Sequence, residues 1–152
     1  MRTVLLVAIG TASWASSTLG TWKMDATRST FMGATQPKSL SVRIEPHAKG
    51  EVFTLNKVES DGRATSSSSI LYFDGGPRDF QDFDCAVAQS SRRLDSRSVQ
   101  ILRTCASAQW IWLLQHSAAQ PNEMILDITE KRRDGRHFEW RVVLDKQQVQ
   151  KQ

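Results

Sequence analysis

The sequence predicts an all-β chain, an antiparallel up-and-down barrel of about eight to ten strands, and three observations lead there. From residue 39 onward apolar and polar side chains alternate with period two, which sets one face of each segment in a core and the other in water. Asp-Gly pairs at 61–62, 74–75 and 134–135 fall between those segments, and both residues tolerate the backbone of tight hairpin turns. No window shows an apolar stripe of useful length at helical spacing. A meander of this length has two long edges, and joining its first strand to its last removes them. A two-sheet sandwich is the alternative, but its crossovers need longer connections than most gaps here supply.

The elements follow in order. Residues 1–15, MRTVLLVAIGTASWA, have the pattern of a secretion signal, with a positive start at Arg2, an apolar run from Val4 to Ile9 and small residues at Ser13 and Ala15. That run is far short of the roughly 20 residues a membrane-spanning helix needs. The expectation is an exported protein, periplasmic or extracellular, without stable membrane insertion; a buried N-terminal strand or helix is the alternative. A first strand over 20–25 is followed by a loop rich in Thr, Gly and Pro. Strand 39–46 turns Leu40, Val42 and Ile44 to one face, and strands at 51–59 and 63–73 flank the Asp61-Gly62 turn. Strands at 78–84, 86–93 and 97–104 come next, then 108–116, where Trp110, Trp112 and Leu114 share a face. Strand 123–132 alternates Met124, Leu126 and Ile128, and strand 136–146 alternates Phe138, Trp140, Val142 and Leu144. The barrel domain is expected to occupy 20–147, with 148–152 as a flexible tail.

The formal net charge is +4, from 20 basic against 16 acidic residues. The basic clusters, Arg92-Arg93 and Lys131-Arg132-Arg133, are short and flanked by Asp95, Glu130 and Asp134, so they read as solvated strand ends. Nucleic-acid partners need a more concentrated basic face, and none is expected. Two cysteines, Cys85 and Cys105, favour a disulfide in an exported chain, with two buried free thiols as the alternative. Neither belongs to a Cys-x-x-Cys pair, and His47, His116 and His137 lack metal-ligand spacing, so no metal or cofactor is expected. The serines of TSSSSI at 65–70 sit in no Gly-x-Ser-x-Gly elbow, and Asp79, Asp82 and Asp84 lack the central Gly of a calcium loop. No constellation supports catalysis, and the chain is not expected to be an enzyme.

The segments GTWKMDATRSTF and PKSLSVRIEP, the SDGR turn, and DGRHFEW running into VVLDKQ resemble small exported bacterial proteins of the lipocalin-like class. The resemblance is strongest at both ends and weak between 77 and 120, where RDFQDFDCAVAQ and CASAQWIWLLQH depart from it and the two cysteines are additions. It implies a calycin-type antiparallel barrel in which a Gly-x-Trp motif seals one end. Gly20 would admit the chain to the first strand, Trp22 would cover the closed end, and Arg141 is, by position, the cation to stack on it. Trp22 as an ordinary core residue is the alternative. The aromatic residues Trp110, Trp112, Phe138 and Trp140 are candidates to line a pocket for a small hydrophobic or amphipathic ligand inside the barrel. If they fill the lumen instead, the protein is a non-catalytic secreted structural or interaction module.

Overall fold

The computed structural model describes residues 18–82 and 85–149. The expected leader, Phe83, Asp84 and the last three residues of the expected tail lie outside the described residues. Among the described residues the chain forms eleven strands and no helix: β1 (Gly20–Met24), β2 (Thr30–Met32), β3 (Ser39–His47), β4 (Gly50–Val58), β5 (Ala64–Leu71), β6 (Arg78–Asp82), β7 (Cys85–Asp95), β8 (Ser98–Thr104), β9 (Ala108–His116), β10 (Glu123–Arg132) and β11 (His137–Lys146).

All pairings are antiparallel, and the sheet runs in the order β5-β4-β3-β1-β11-β10-β9-β8-β7-β6. The first strand meets the last, with Trp22 opposite Lys146 and Met24 opposite Leu144. The ladder stops between β5 and β6, and side chains bridge that seam. Ser69 Oγ donates to Gln89 Oε1 at 3.1 Å, and Gln89 Nε2 donates to the Ile70 carbonyl at 3.3 Å. Below them the Phe73 amide donates to Ser91 Oγ at 3.1 Å, with Phe73 at a positive φ of 59° and the Arg93 guanidinium 4.1 Å from its ring. The fold is therefore an antiparallel, nearly closed barrel.

Two elements differ from expectation. Strand β2 falls in the segment expected to be a loop, because three residues are too few to show alternation. It takes the stretch of β11 that β1 leaves free, with Phe31 opposite Trp140. The turn leading to it is held by Asp25, whose carboxylate accepts from the Thr27 hydroxyl and the Arg28 guanidinium; Arg28 also reaches Glu123 and Asp145. The expected strand at 78–84 gives β6 only to Asp82, while β7 runs to Asp95 with an irregularity between Arg93 and Asp95.

The inward rows meet in register. Trp22 lies opposite Val42 in one such row and Leu144 opposite Met124 in another, all four at 2% exposure or less. Leu114, Leu126 and Val142 form the next. Each fully buried apolar side chain of this size contributes about 1.5–3 kcal/mol relative to leaving it in water. Polar side chains share the interior: Glu51, Gln89, Ser91, Arg103 and His116 are all buried. At the β3–β4 turn a Cβ on Gly50 would stand 1.9 Å from the Leu71 carbonyl oxygen, so only glycine lets the turn pass the end of β5. Cys85 and Cys105 form a disulfide across a separation of 20 residues, which stabilises by roughly 3 kcal/mol in the chain-entropy account.

Candidate functional site

The two ends of the barrel are built differently. At one end Trp22 is fully buried, with its indole N–H donating to the Thr18 carbonyl at 2.8 Å and the His116 ring edge-on at 6.1 Å. His116 is itself held through Nε2 at 2.8 Å from the Pro121 carbonyl. The cation over the indole is Lys146, whose Nζ lies 5.2 Å from the ring centroid. Gly20, at a φ of +123°, leaves room for it, since a Cβ there would lie 3.2 Å from Lys146 Cε.

This corrects the expected role of Arg141. Its guanidinium lies on the outer face and pairs with both carboxylate oxygens of Asp127 at 2.9 Å. The reason is parity along β11. Val142 and Leu144 point inward, so Arg141 points out, and Lys146 shares the inward row. The stacking cation was therefore legible from the alternation, five residues further along.

The opposite end is hollow. A cavity of about 280 Å³ is walled on β9 by Trp110 and Trp112, on β4 by Leu55 and Lys57, and on β5 by Thr65 and Ser67. Val87 of β7, Arg103 of β8, and Glu130 and Arg132 of β10 complete the wall. A wider mouth of about 710 Å³ opens beyond it, reaching Cys85, Ser107 and Arg133, and shares Val87, Trp110, Glu130 and Arg132 with the cavity. Phe53, fully buried in the packed core below, lies 5.6 Å edge-on from Trp112, which lines the cavity. The lower barrel is thus filled and the upper barrel is not.

Three cations line that space, and each lies over an aromatic ring. Arg103, at 3% exposure, places its guanidinium 4.1 Å from the Trp112 ring and 5.0 Å from Phe80. Its Nε donates to Gln89 Oε1 at 2.8 Å and a terminal nitrogen to Ser69 Oγ at 3.2 Å. Lys57 Nζ stands 5.1 Å over Trp140 and pairs with Glu59 at 2.6 Å. Arg132 stands 5.1 Å over Phe138 and pairs with Glu130 at 2.6 Å. Such contacts strengthen as water is excluded, from about 0.5–1 kcal/mol exposed to about 2 kcal/mol when desolvated. The buried indole nitrogens of Trp112 and Trp140 have no hydrogen-bond partner among the described residues.

Of the four expected lining residues, Trp110 and Trp112 face the cavity directly. Phe138 and Trp140 sit on the same inner face, opposite Glu130 and Ile128, but Arg132, Lys57 and Phe31 cover them. Sequence reasoning passed over Arg103 and Lys57, and read Arg132 as part of a solvated strand end. Parity again supplies a signal, since Arg103 continues the inward row of Val99 and Ile101. Among the other histidines, His47 Nδ1 accepts from the Lys49 amide, and His137 pairs with Glu139 at 2.8 Å on the surface.

A nearly closed antiparallel barrel, packed at one end and hollow at the other, is a calycin-type fold. Solved structures share this fold. A fatty acid binding protein of Schistosoma mansoni in complex with arachidonic acid is similar with a TM-score of 0.53 at 12% identity, covering 88% of this chain and 98% of that one. Two single-residue variants of the fluorescent protein UnaG are similar with TM-scores of 0.53 and 0.51 at 10% identity, covering 88% and 86% of this chain and 98% and 96% of theirs. No family model and no curated protein matches the sequence. Among the described residues no helix is long and apolar enough to cross a membrane.

Proposed function

We propose that the protein is an exported, non-catalytic binding protein whose upper barrel takes one small amphipathic molecule. Its apolar body would lie against Trp110, Trp112, Leu55 and Val87, and its acidic or strongly polar group toward Lys57, Arg103 and Arg132. The observation that carries the reading is a cavity of about 280 Å³ walled by indoles and by three cations against one acid, Glu130. Ligand sites usually run from about 300 to 1,000 Å³, so the size favours a small ligand with one end in the mouth. The complex of the similar barrel with arachidonic acid supports this chemistry. Export is supported by the leader pattern of residues 1–15 and by the Cys85–Cys105 bond, which persists in oxidising compartments. The packed lower barrel favours a second reading, an interaction module that works through its outer face.

Titration with the fluorescent probe 1-anilinonaphthalene-8-sulfonate, displaced by medium-chain carboxylates, tests the first reading. Ser67 points into the cavity, so Ser67→Phe is expected to weaken probe binding at least about tenfold while stability changes by no more than about 1–2 kcal/mol. Alcohols of equal chain length should compete less well than the carboxylates. Absence of probe binding, or equal binding by Ser67→Phe, refutes the reading in favour of the interaction module.

A further inference from the structure

We infer that the Cys85–Cys105 disulfide is a redox latch on the mouth of this cavity, closed when oxidised and open when reduced. The inference rests on the proposed binding role of the upper barrel and adds its regulation.

The position of the bond carries it. Cys85 lines the mouth, and Val87, two residues on, belongs to both the mouth and the cavity. The start of β7 is therefore the wall between bulk solvent and the hollow. The ladder between β7 and β8 begins at Ala88 and Thr104, so Cys85, Ala86 and Val87 extend beyond it. Their ladder partners are in β6, from Phe80 to Asp82, and β6 ends the sheet. The disulfide ties this wall to Cys105, at the start of the turn into β9, where the Cys105 amide donates to the Ala108 carbonyl at 2.9 Å. Thus a covalent bond does here what sheet pairing does elsewhere around the barrel.

The partner is a dithiol reductant. One of its thiolates attacks a sulfur of the pair, forming a mixed disulfide and releasing the other cysteine sulfur as a thiolate that takes up a proton. Its second thiol then displaces the remaining cysteine and closes the reductant's own disulfide. Two electrons and two protons reach Cys85 and Cys105, and the reductant is oxidised by the same amount. The freed wall then moves away from Trp110 and Arg103, and the mouth widens at the seam beside β5. Ligand would be retained in an oxidising compartment and released where dithiols are present.

The test follows the whole mature chain, oxidised and then treated with dithiothreitol, together with the double variant Cys85→Ser, Cys105→Ser. Amide hydrogen exchange at Ala86, Val87 and Ala106 is expected to rise at least about tenfold on reduction, with Leu126 and Val142 unchanged. Release of 1-anilinonaphthalene-8-sulfonate, followed by stopped flow, should accelerate by a similar factor, and the double variant should behave as the reduced protein does. Unchanged local exchange in the double variant, or exchange rising equally at Leu126, overturns the latch. The exchange arm needs no ligand. Failure of the probe to bind in either state would overturn the binding role, and the latch on it, whereas a bound probe with unchanged exchange and release overturns the latch alone.

Discussion

Phe53→Ala tests whether the boundary between packed core and hollow lies where Phe53 meets Trp112. Phe53 is fully buried on β4, opposite Ile44 and Ser69, and its ring is edge-on to Trp112 at 5.6 Å. Truncation of a buried phenylalanine costs about 3–5 kcal/mol, from lost transfer energy and the void left behind. Of that, about 0.5–1.5 kcal/mol is the aromatic pair itself. For a barrel of this size a loss of 4 kcal/mol corresponds to a fall in Tm of roughly 10–20 °C. Urea unfolding, followed by circular dichroism and by indole fluorescence, measures it, provided the two probes coincide. The void would open beside Trp112, which lines the upper cavity, so the variant should also accept a longer-chain carboxylate than the parent does. A loss below about 1 kcal/mol with unchanged chain-length preference would refute the reasoning, because it would mean Phe53 is not the floor of the hollow.

Other outcomes follow from the same geometry. Lys146→Met should lower stability by about 0.5–1 kcal/mol through loss of the contact with the Trp22 ring, whereas Arg141→Met should stay within about 0.5 kcal/mol of the parent; chemical denaturation measures both, and the reverse order would restore Arg141 to the sealing role. Acid should destabilise the fold. Two guanidinium hydrogen bonds from Arg78 hold the Asp74 carboxyl down to about 2, against an ordinary 3.8. Asp25, bonded by Thr27 and Arg28, and Asp134, bonded by Arg136, are lowered as well. A depressed folded-state value means that the stabilisation is whole above the ordinary carboxylate range and is lost as pH falls from about 4 toward 2. Thermal scans against pH should show Tm flat above about pH 5 and falling below 4, with Asp74→Asn flattening the fall; a transition centred above pH 5 would assign the acid sensitivity to other groups.

Much of the fold is legible in the alternation. Leu40, Val42 and Ile44 on β3, and Met124, Leu126 and Ile128 on β10, declare their inward parity within a single strand. The pairing of first strand with last follows because two bare edges are costly for a meander of this length. The hairpin at Asp61-Gly62 follows from local backbone preference. Strand β2 did not show, because Thr30–Met32 acquires its conformation from pairing with β11 and from the Asp25 turn, both of which depend on distant chain.

The site was only half legible, for the same physical reason. Parity is a property of one strand, and it marked Trp110, Trp112, Phe138 and Trp140 as inward. Applied more strictly it would have replaced Arg141 by Lys146 and brought in Arg103. Whether inward side chains fill a lumen or leave a hollow depends on volumes summed across strands that are distant in sequence. Phe53, Trp22 and Met124 belong to one buried cluster that fills the lower barrel, while Ser67 and Thr65 are too small to fill the space before Trp112. The sequence by itself determined which face of each strand is apolar and that two cysteines were available to bond. Only the tertiary structure decided where the large side chains run out, because packing is a relation among residues and alternation is not.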